Sequence, residues 1–439
     1  MALTRLDVST LYKQPPPPFG HPLRNYFALD REYVNLNHGS YGSTPLPVLQ
    51  AANDLTLQIE RNPDHFLRLL YQPILDGTRE RLANLIGAKA NEVVLVANAS
   101  LGVNTILRNF EWAKDDTLIV TTSTYGSVYK TAFSISDSSP NPKVSVFNLK
   151  FPTTHAEIIS NFREHIRSLP KPEGSKRVAV IDSIVSNPGV LLPWKELVKI
   201  CKEEGVWSLV DAAHSIGQEV GINLTEAAPD FWISAYQITY CLPQNAHKWL
   251  YAKRSCAVLY VPERNQHIVK TSIPTSHTYI SPKDRKGPNF VEQFEWNGTI
   301  DFVPYLTVPA ALDFRNWLGG EEKINNYCHS LALEGGQRLA KILGTRVIDP
   351  NGDLTMNMVN VELPFPGTIL WSLEIDRKLK QKLLEERKMY SAHFYHNGKW
   401  WTRCSAQIYT ELTDFEKLGK AWLEVIKEVQ DELEKKLEA

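Results

Sequence analysis

Neither sign of charge prevails in this chain: 48 lysines and arginines stand against 49 aspartates and glutamates, a formal net charge of −1 over 439 residues. That balance gives no electrostatic reason to expect nucleic acid or an anionic membrane as a partner. Long apolar runs are missing as well. No stretch approaches the roughly 20 residues that a membrane helix needs, and residues 1–20 carry no apolar core of the signal-peptide kind. Cysteine is scarce: the five present are scattered, and none forms a CxxC pair. A disulfide framework and a CxxC metal or redox site are therefore excluded, no metal centre is expected, and a reducing, cytoplasmic location fits.

What is present is ordinary for a globular protein, with 43% hydrophobic and 22% charged residues. The length exceeds one compact core, so a large domain with a smaller one is expected. Pro15-Pro16-Pro17-Pro18 reads as a stiff extended spacer in an N-terminal arm over 1–34. Short β-rich runs at 93–96, 118–122, 144–149, 178–185, 207–210, 230–234 and 256–261 alternate with helical patterns such as 74–86, 156–168 and 194–204. Most of the runs are continuously apolar, which suits strands covered on both faces. The alternation predicts an α/β fold with a mostly parallel, doubly wound sheet in a large domain over 35–310. Helices at 307–318 and 321–343 lead into a small α+β C-terminal domain over 311–439. It reads strand 356–363, helix 376–387, strand 401–409, helix 414–437.

Two motifs carry chemistry. Asn245-Ala246-His247-Lys248-Trp249 places a lysine between a histidine and a large aromatic. Asp211-Ala212-Ala213-His214 follows the apolar run Trp207-Ser208-Leu209-Val210. A lysine condenses with an aldehyde, and an aspartate at the end of a buried strand holds a pyridinium nitrogen protonated. Those are the two protein groups that pyridoxal phosphate (PLP) most needs. Ligands of open α/β sheets bind at the carboxyl ends of strands, where Asp211 sits. Aspartate is also a favoured helix cap there. His214, one helical turn on, is placed to face the same ligand.

Further pieces follow in chain order. Val96-Ala97-Asn98-Ala99-Ser100-Leu101-Gly102 ends a strand and opens a helix, so that backbone N–H groups from Asn98 to Ser100 and the Ser100 hydroxyl would face a phosphate. A plain capped helix start has the same pattern. Tyr125 follows the next strand and is placed to lie over a pyridine ring, with Tyr129 four residues later on the same helical face. Arg403, a charge inside the packable run Trp401-Thr402-Arg403-Cys404-Ser405, suits a bidentate grip on an amino-acid carboxylate. The alternative is an edge-strand arginine facing water.

Together these residues resemble the class V aminotransferase family of PLP-dependent enzymes (fold type I), which includes cysteine desulfurases and isopenicillin N epimerase-like proteins. The resemblance runs from about Asn35 to Tyr409. Leu36-Asn37-His38-Gly39-Ser40-Tyr41-Gly42 is similar to the family's opening motif, close to substrate, which marks Asn37, Gly39 and Ser40. Trp296-Asn297-Gly298-Thr299-Ile300-Asp301 is similar to the loop whose threonine, here Thr299, reaches the phosphate of the neighbouring subunit. The resemblance implies pyridoxal 5′-phosphate as cofactor, Lys248 as the Schiff-base lysine with His247 beside it, Asp211 as the pyridinium partner, His214 at the ring or its oxygen, Ser186 near the 3′ oxygen, and Arg403 on the substrate carboxylate. It also implies a homodimer with composite sites. The run from Lys248 to Tyr260 is similar to a branch of fungal-type hercynylcysteine sulfoxide lyases of ergothioneine synthesis, and also to related lyases and epimerases. One departure is the stretch 235–244, β-prone and adjacent to Lys248, which the family pattern lacks. It reads either as a loop peculiar to this chain or as an unremoved in-frame intron, and PLP binding is expected not to need it.

Three reactions fit such a site on a small amino-acid substrate. With a sulfur leaving group on Cβ, proton removal at Cα by Lys248 leads to C–S cleavage, with pyruvate and ammonia as products, and Tyr125 or Tyr129 as candidate acids. Return of the proton to the other face gives an epimerase. A desulfurase needs a nucleophilic cysteine shortly before the arginine, and 389–400 has none. The lyase is therefore preferred. A further alternative is an inactive scaffold, against which the joint presence of Asp211, Lys248 and Arg403 argues. The aromatic loop from His393 to Trp401 offers either a cation–π receptor for a trimethylammonium or imidazole group, or merely a half-buried hairpin.

Overall fold

The structure is a computed structural model that describes residues 8–234, 248–281 and 283–438. Its twelve strands are β1 (Val34–Asn35), β2 (Val93–Val96), β3 (Thr117–Thr121), β4 (Lys143–Phe147), β5 (Arg177–Asp182), β6 (Trp207–Asp211), β7 (Phe231–Ser234), β8 (Ala257–Tyr260), β9 (Met358–Glu362), β10 (Met389–Tyr390), β11 (Ala392–His396) and β12 (Lys399–Ser405). Seven of them form the main sheet, in the order β2-β8-β7-β6-β5-β3-β4. The stretch 235–244 and His247 lie outside the described residues.

Alternation within each strand explains why the apolar runs are continuous. Val178 and Val180 of β5 and Leu209 of β6 face one apolar cluster, beneath the helices Ala99–Asn109 and Gly126–Ser136. Ala179, Ile181 and Val210 face the opposite cluster, which takes in Leu75 and Leu82, Ile158 and Phe162, and Leu197 and Val198 from the helices Tyr71–Ile86, His155–Ser168 and Trp194–Glu203. Both faces are covered, so no polar alternation is needed. On the first face the helix Ala99–Asn109 lies so close that a Cβ on Gly102 would fall 1.6 Å from Ile233 Cδ1. Only glycine permits that approach, which brings the helix N-terminus down onto the sheet end.

One strand departs from the expected parallel order. The run at 256–261 does form a strand, β8, but it pairs antiparallel with both β2 and β7. Apolar periodicity reports burial, not direction, so the sequence pattern could not show this.

The C-terminal sheet is β11-β12-β9, antiparallel, under the helices Gly320–Leu343 and Leu412–Glu438. The segment read as one strand over 401–409 is strand only to Ser405, and it forms a hairpin with β11. That hairpin settles the two readings of the aromatic loop. Trp400 and Trp401 are buried, and His393 is buried against Asp376 at 3.1 Å. These rings build core, so they do not form a cation receptor. A second consequence concerns the N-terminus. β1 pairs in parallel with β10, and Val34 and Leu36 pack into the same cluster as Trp400, Phe415 and Trp422. The polyproline arm is extended, and beside it Tyr12 stacks on Trp317 at 5.8 Å while Gln14 accepts a bond from the Trp317 indole. No helix among the described residues is long and apolar enough to cross a membrane.

Candidate active site

β6 ends in Asp211, buried at 4% exposure, where its Oδ1 accepts the backbone N–H of Ala213 at 3.1 Å. Burial raises this carboxyl to about 6, and the Ala213 N–H holds it from rising further. The turn that follows carries His214, whose Nε2 lies 2.7 Å from Lys248 Nζ. Its other nitrogen, Nδ1, accepts the indole N–H of Trp249 at 3.2 Å.

That last bond fixes protonation. An indole nitrogen only donates, so Nδ1 must be the acceptor, and the neutral imidazole carries its hydrogen on Nε2. Nε2 then donates to Lys248, which requires a lone pair on Nζ. The lysine is therefore an uncharged amine. Its environment agrees: burial first, then the Arg403 guanidinium, push Lys248 well below the usual lysine range, with Asp211 opposing. Burial first, with the Arg403 guanidinium, likewise keeps His214 neutral.

The backbone at and after the lysine is pinned by side chains from distant parts of the chain. The Lys248 carbonyl accepts a bond from His38 Nε2, and His38 Nδ1 meets the Tyr409 hydroxyl at 2.8 Å. Burial drives His38 down to about 3, so this ring is neutral too. The Trp249 carbonyl accepts from Arg315 Nη1 at 2.6 Å, and Arg315 is itself paired with Glu321 at 2.6 Å. Gly217, at φ 85°, admits this backbone, since a Cβ there would fall 2.6 Å from the Trp249 carbonyl. His38 and Arg315 escaped the sequence reading. Their partners are main-chain carbonyls, and a histidine inside the opening motif was the one available signal.

The arginine is not at an edge. β12 lies between β11 and β9, and Arg403 is 1% exposed. Its Nη2 donates to Ser40 Oγ at 2.7 Å and to Asn37 Oδ1 at 3.2 Å, and its Nη1 to the Ser186 carbonyl at 2.6 Å. Gly39 N–H donates to Ser405 Oγ at 3.0 Å, and a Cβ on Gly39 would crowd Met358 and Trp249. Asn37, Gly39, Ser40, Ser186 and Arg403, predicted from three separate stretches, thus converge beside Lys248.

Two helix N-termini meet on the other side. Asn98 caps the helix Ala99–Asn109 by accepting Leu101 N–H at 2.8 Å, and Ala99 is buried. Ser100 Oγ meets Ser127 Oγ at 2.7 Å across to the helix Gly126–Ser136, so Ser127 joins the predicted set. Tyr125 caps that second helix with extended backbone (ψ 138°) and is half-buried. Burial, then Tyr41 and Asp211, raise its phenol, which therefore keeps its proton at neutral pH. Tyr125 thus precedes the helix that carries Tyr129, and the Tyr129 N–H donates to its carbonyl at 2.9 Å. Tyr129 packs on Phe133, ring centroids 4.8 Å apart, partly buried against the apolar cluster. Thr299 is exposed on the surface of the single chain.

Against known proteins, residues 40–365 match the family described as aminotransferase class-V. The chain belongs to that family. Among its relatives, the L-cysteine desulfhydrase-like protein lolT1 of Epichloe uncinata is 34% identical over 94% of this chain and 97% of its own. The hercynylcysteine sulfoxide lyase of Schizosaccharomyces pombe is 30% identical over 92% and 96%. A solved cysteine desulfurase from Thermococcus onnurineus NA1 has the same fold, with a TM-score of 0.72 at 18% identity over 94% of this chain and 100% of its own. This is a PLP enzyme of fold type I, and the residues present fit that cofactor. A buried carboxyl ends the central strand, an uncharged amine lies within its electrostatic reach, an aromatic caps the adjoining helix, and two helix N-termini bring hydroxyls together.

Proposed function

We propose that this enzyme cleaves the Cβ–S bond of an S-substituted cysteine or its sulfoxide, of the hercynylcysteine sulfoxide kind, releasing pyruvate and ammonia. It is a carbon–sulfur lyase. The observation that carries the reading is the uncharged Lys248 amine beside a buried carboxylate clamp. Asp211 would hold the ring nitrogen of PLP, Ser100 and Ser127 with the two helix N-termini its phosphate, and Tyr125 its face, with Ser186 and His214 around the ring. Bound there, PLP supplies an electron sink for negative charge developing at Cα. Everything else falls to the chain. Arg403, Ser40 and Asn37 grip the substrate carboxylate and orient the Cα–H bond. Lys248 Nζ takes the α-proton. The Cβ–S bond then breaks, and Tyr125 O–H protonates the leaving sulfur. Water completes the balance: a thioether gives a thiol and a sulfoxide a sulfenic acid, with pyruvate and ammonia in each case.

The cysteines support elimination over sulfur transfer. Cys201, Cys256, Cys328 and Cys404 are buried thiols, each raised by burial, Cys404 to about 12. Cys241 lies outside the described residues. Unpaired thiols also favour a reducing, cytoplasmic setting. The working unit is a homodimer: Tyr41, 49% exposed, and Ile300, 39% exposed and adjoining Thr299, are apolar surface that a second subunit would cover. The decisive experiment incubates the PLP-loaded protein with S-substituted cysteines and their sulfoxides, assaying pyruvate. Stoichiometric pyruvate and thiol or sulfenic acid are expected. Inversion of Cα without pyruvate would overturn the lyase reading in favour of an epimerase.

A further inference from the structure

Asp182 ends β5 as Asp211 ends β6, and the two are register partners in adjacent parallel strands. Val180 and Leu209, two residues before each, face the same apolar cluster. The period of two therefore sends both carboxyls to one face, on strands about 4.8 Å apart. Asp182 is 3% exposed, and its Oδ2 has no hydrogen-bond partner. The Thr124 hydroxyl and its own backbone N–H reach its carboxyl. A buried carboxylate oxygen with neither a cation nor a donor is costly, whereas an un-ionised acid there is not. The ionisable groups around the pair are Tyr125 from the turn after β3 and, beyond Asp211, Lys248. Both are uncharged in the arrangement described above, so neither supplies a fixed cation to balance two negative charges.

We infer that Asp182 is a second carboxyl of the cofactor site, acting through Asp211: the two side chains share one proton and one negative charge, and Asp182, holding the proton, tempers the grip of Asp211 on the ring nitrogen. Asp182 is thus a positioning residue. Burial and the neighbouring Asp211 both push Asp182 well above the usual carboxylate range. A coupled pair of this kind titrates as a unit. The inference rests on the reading of Asp211 as the ring partner.

The test is infrared spectroscopy of the apo and PLP-loaded protein, labelled with ¹³C at aspartate carboxyls, for the carbonyl stretch of an un-ionised carboxylic acid. The wild type is expected to show it at neutral pH, and Asp182→Asn to lose it. Thermal melting of the apoprotein gives an independent reading. An acid raised by folding makes stability fall as pH climbs from its unfolded pKa towards its folded one, because the native state binds more protons there. Asp182→Asn is expected to flatten that decline above about pH 4, and to change the PLP dissociation constant by less than about tenfold, one unit of protonation equilibrium. Absence of the band in the wild type, its survival in Asp182→Asn, or loss of PLP as complete as in Asp211→Asn each overturns the inference. Full PLP retention by Asp211→Asn would instead sink the assignment of Asp211, and the inference with it.

Discussion

Trp249→Phe tests the protonation argument at its narrowest point. The substitution keeps an aromatic among Ile184 and Met358 but deletes the one donor to His214 Nδ1. The imidazole is then free to carry its hydrogen on Nδ1 and turn a lone pair towards Lys248, 2.7 Å away. In that tautomer Nε2 accepts, so it favours a protonated lysine where the wild type favours a neutral one. A hydrogen bond of this kind contributes about 0.5–1.5 kcal/mol net. One pKa unit is about 1.36 kcal/mol, so the Lys248 amine is expected to titrate up to about one unit higher. The smaller ring also costs stability, about 1–2 kcal/mol for a partly filled core site. The assay is the rate at which apoprotein captures PLP as a function of pH, followed by the visible absorbance of the bound cofactor. Since only the uncharged amine reacts, the rising limb of the profile should move to higher pH. A folded variant whose profile coincides with that of the wild type would refute the tautomer argument and the inferred neutrality of Lys248 with it.

Lys248→Ala is expected to bind PLP without the visible band of the wild type and to release no pyruvate, and a retained band in the spectrum would show that another amine does the work. Arg403→Lys replaces a fork that reaches Ser40, Asn37 and Ser186 by a point charge. The loss of about 1.5–3 kcal/mol should raise KM roughly 10- to 150-fold with a smaller change in kcat, in steady-state kinetics; an unchanged KM excludes carboxylate binding there. Deletion of 235–244 is expected to leave PLP binding intact by absorbance, and a folded but colourless deletion protein would assign that stretch to the site.

The sequence showed the chemistry more clearly than it showed the support for that chemistry. Asp211 and Lys248 were legible because strand-end acids and lysines between ring-bearing residues are rare juxtapositions with a definite use. Arg403 was legible as a charge inside a packable run, but Asn37, Ser40 and Ser186 only through the family resemblance, since 366 residues separate Asn37 from its arginine partner. Their meeting is a product of β1 pairing with β10, of the Ser405 N–H bonding the Leu36 carbonyl, and of the turn after β5 reaching Arg403. The direction of β8 was hidden because burial patterning has no sign. The hairpin of β11 and β12 was ambiguous because buried tryptophans and a binding cage use the same residues. Asp182 was passed over inside the strand run 178–185. What distinguishes it, the missing partner of one oxygen, exists only in three dimensions.

The pairing of β1 with β10 also orders events in time. The N-terminal segment, made first, donates Leu36 N–H to the Tyr390 carbonyl, and its Leu36 carbonyl accepts from Ser405 N–H. On a chain emerging from the ribosome, the main sheet from β2 to β8 has everything it needs to fold well before those partners exist. Asn37, His38 and Ser40 must wait, tethered but unseated, until the last tenth of the polypeptide arrives. Lys248 loses its His38 anchor for the same interval. A product truncated before Arg403 therefore cannot grip an amino acid, and the enzyme is assembled as a catalyst only once the segment from Tyr390 to Ser405 has been made.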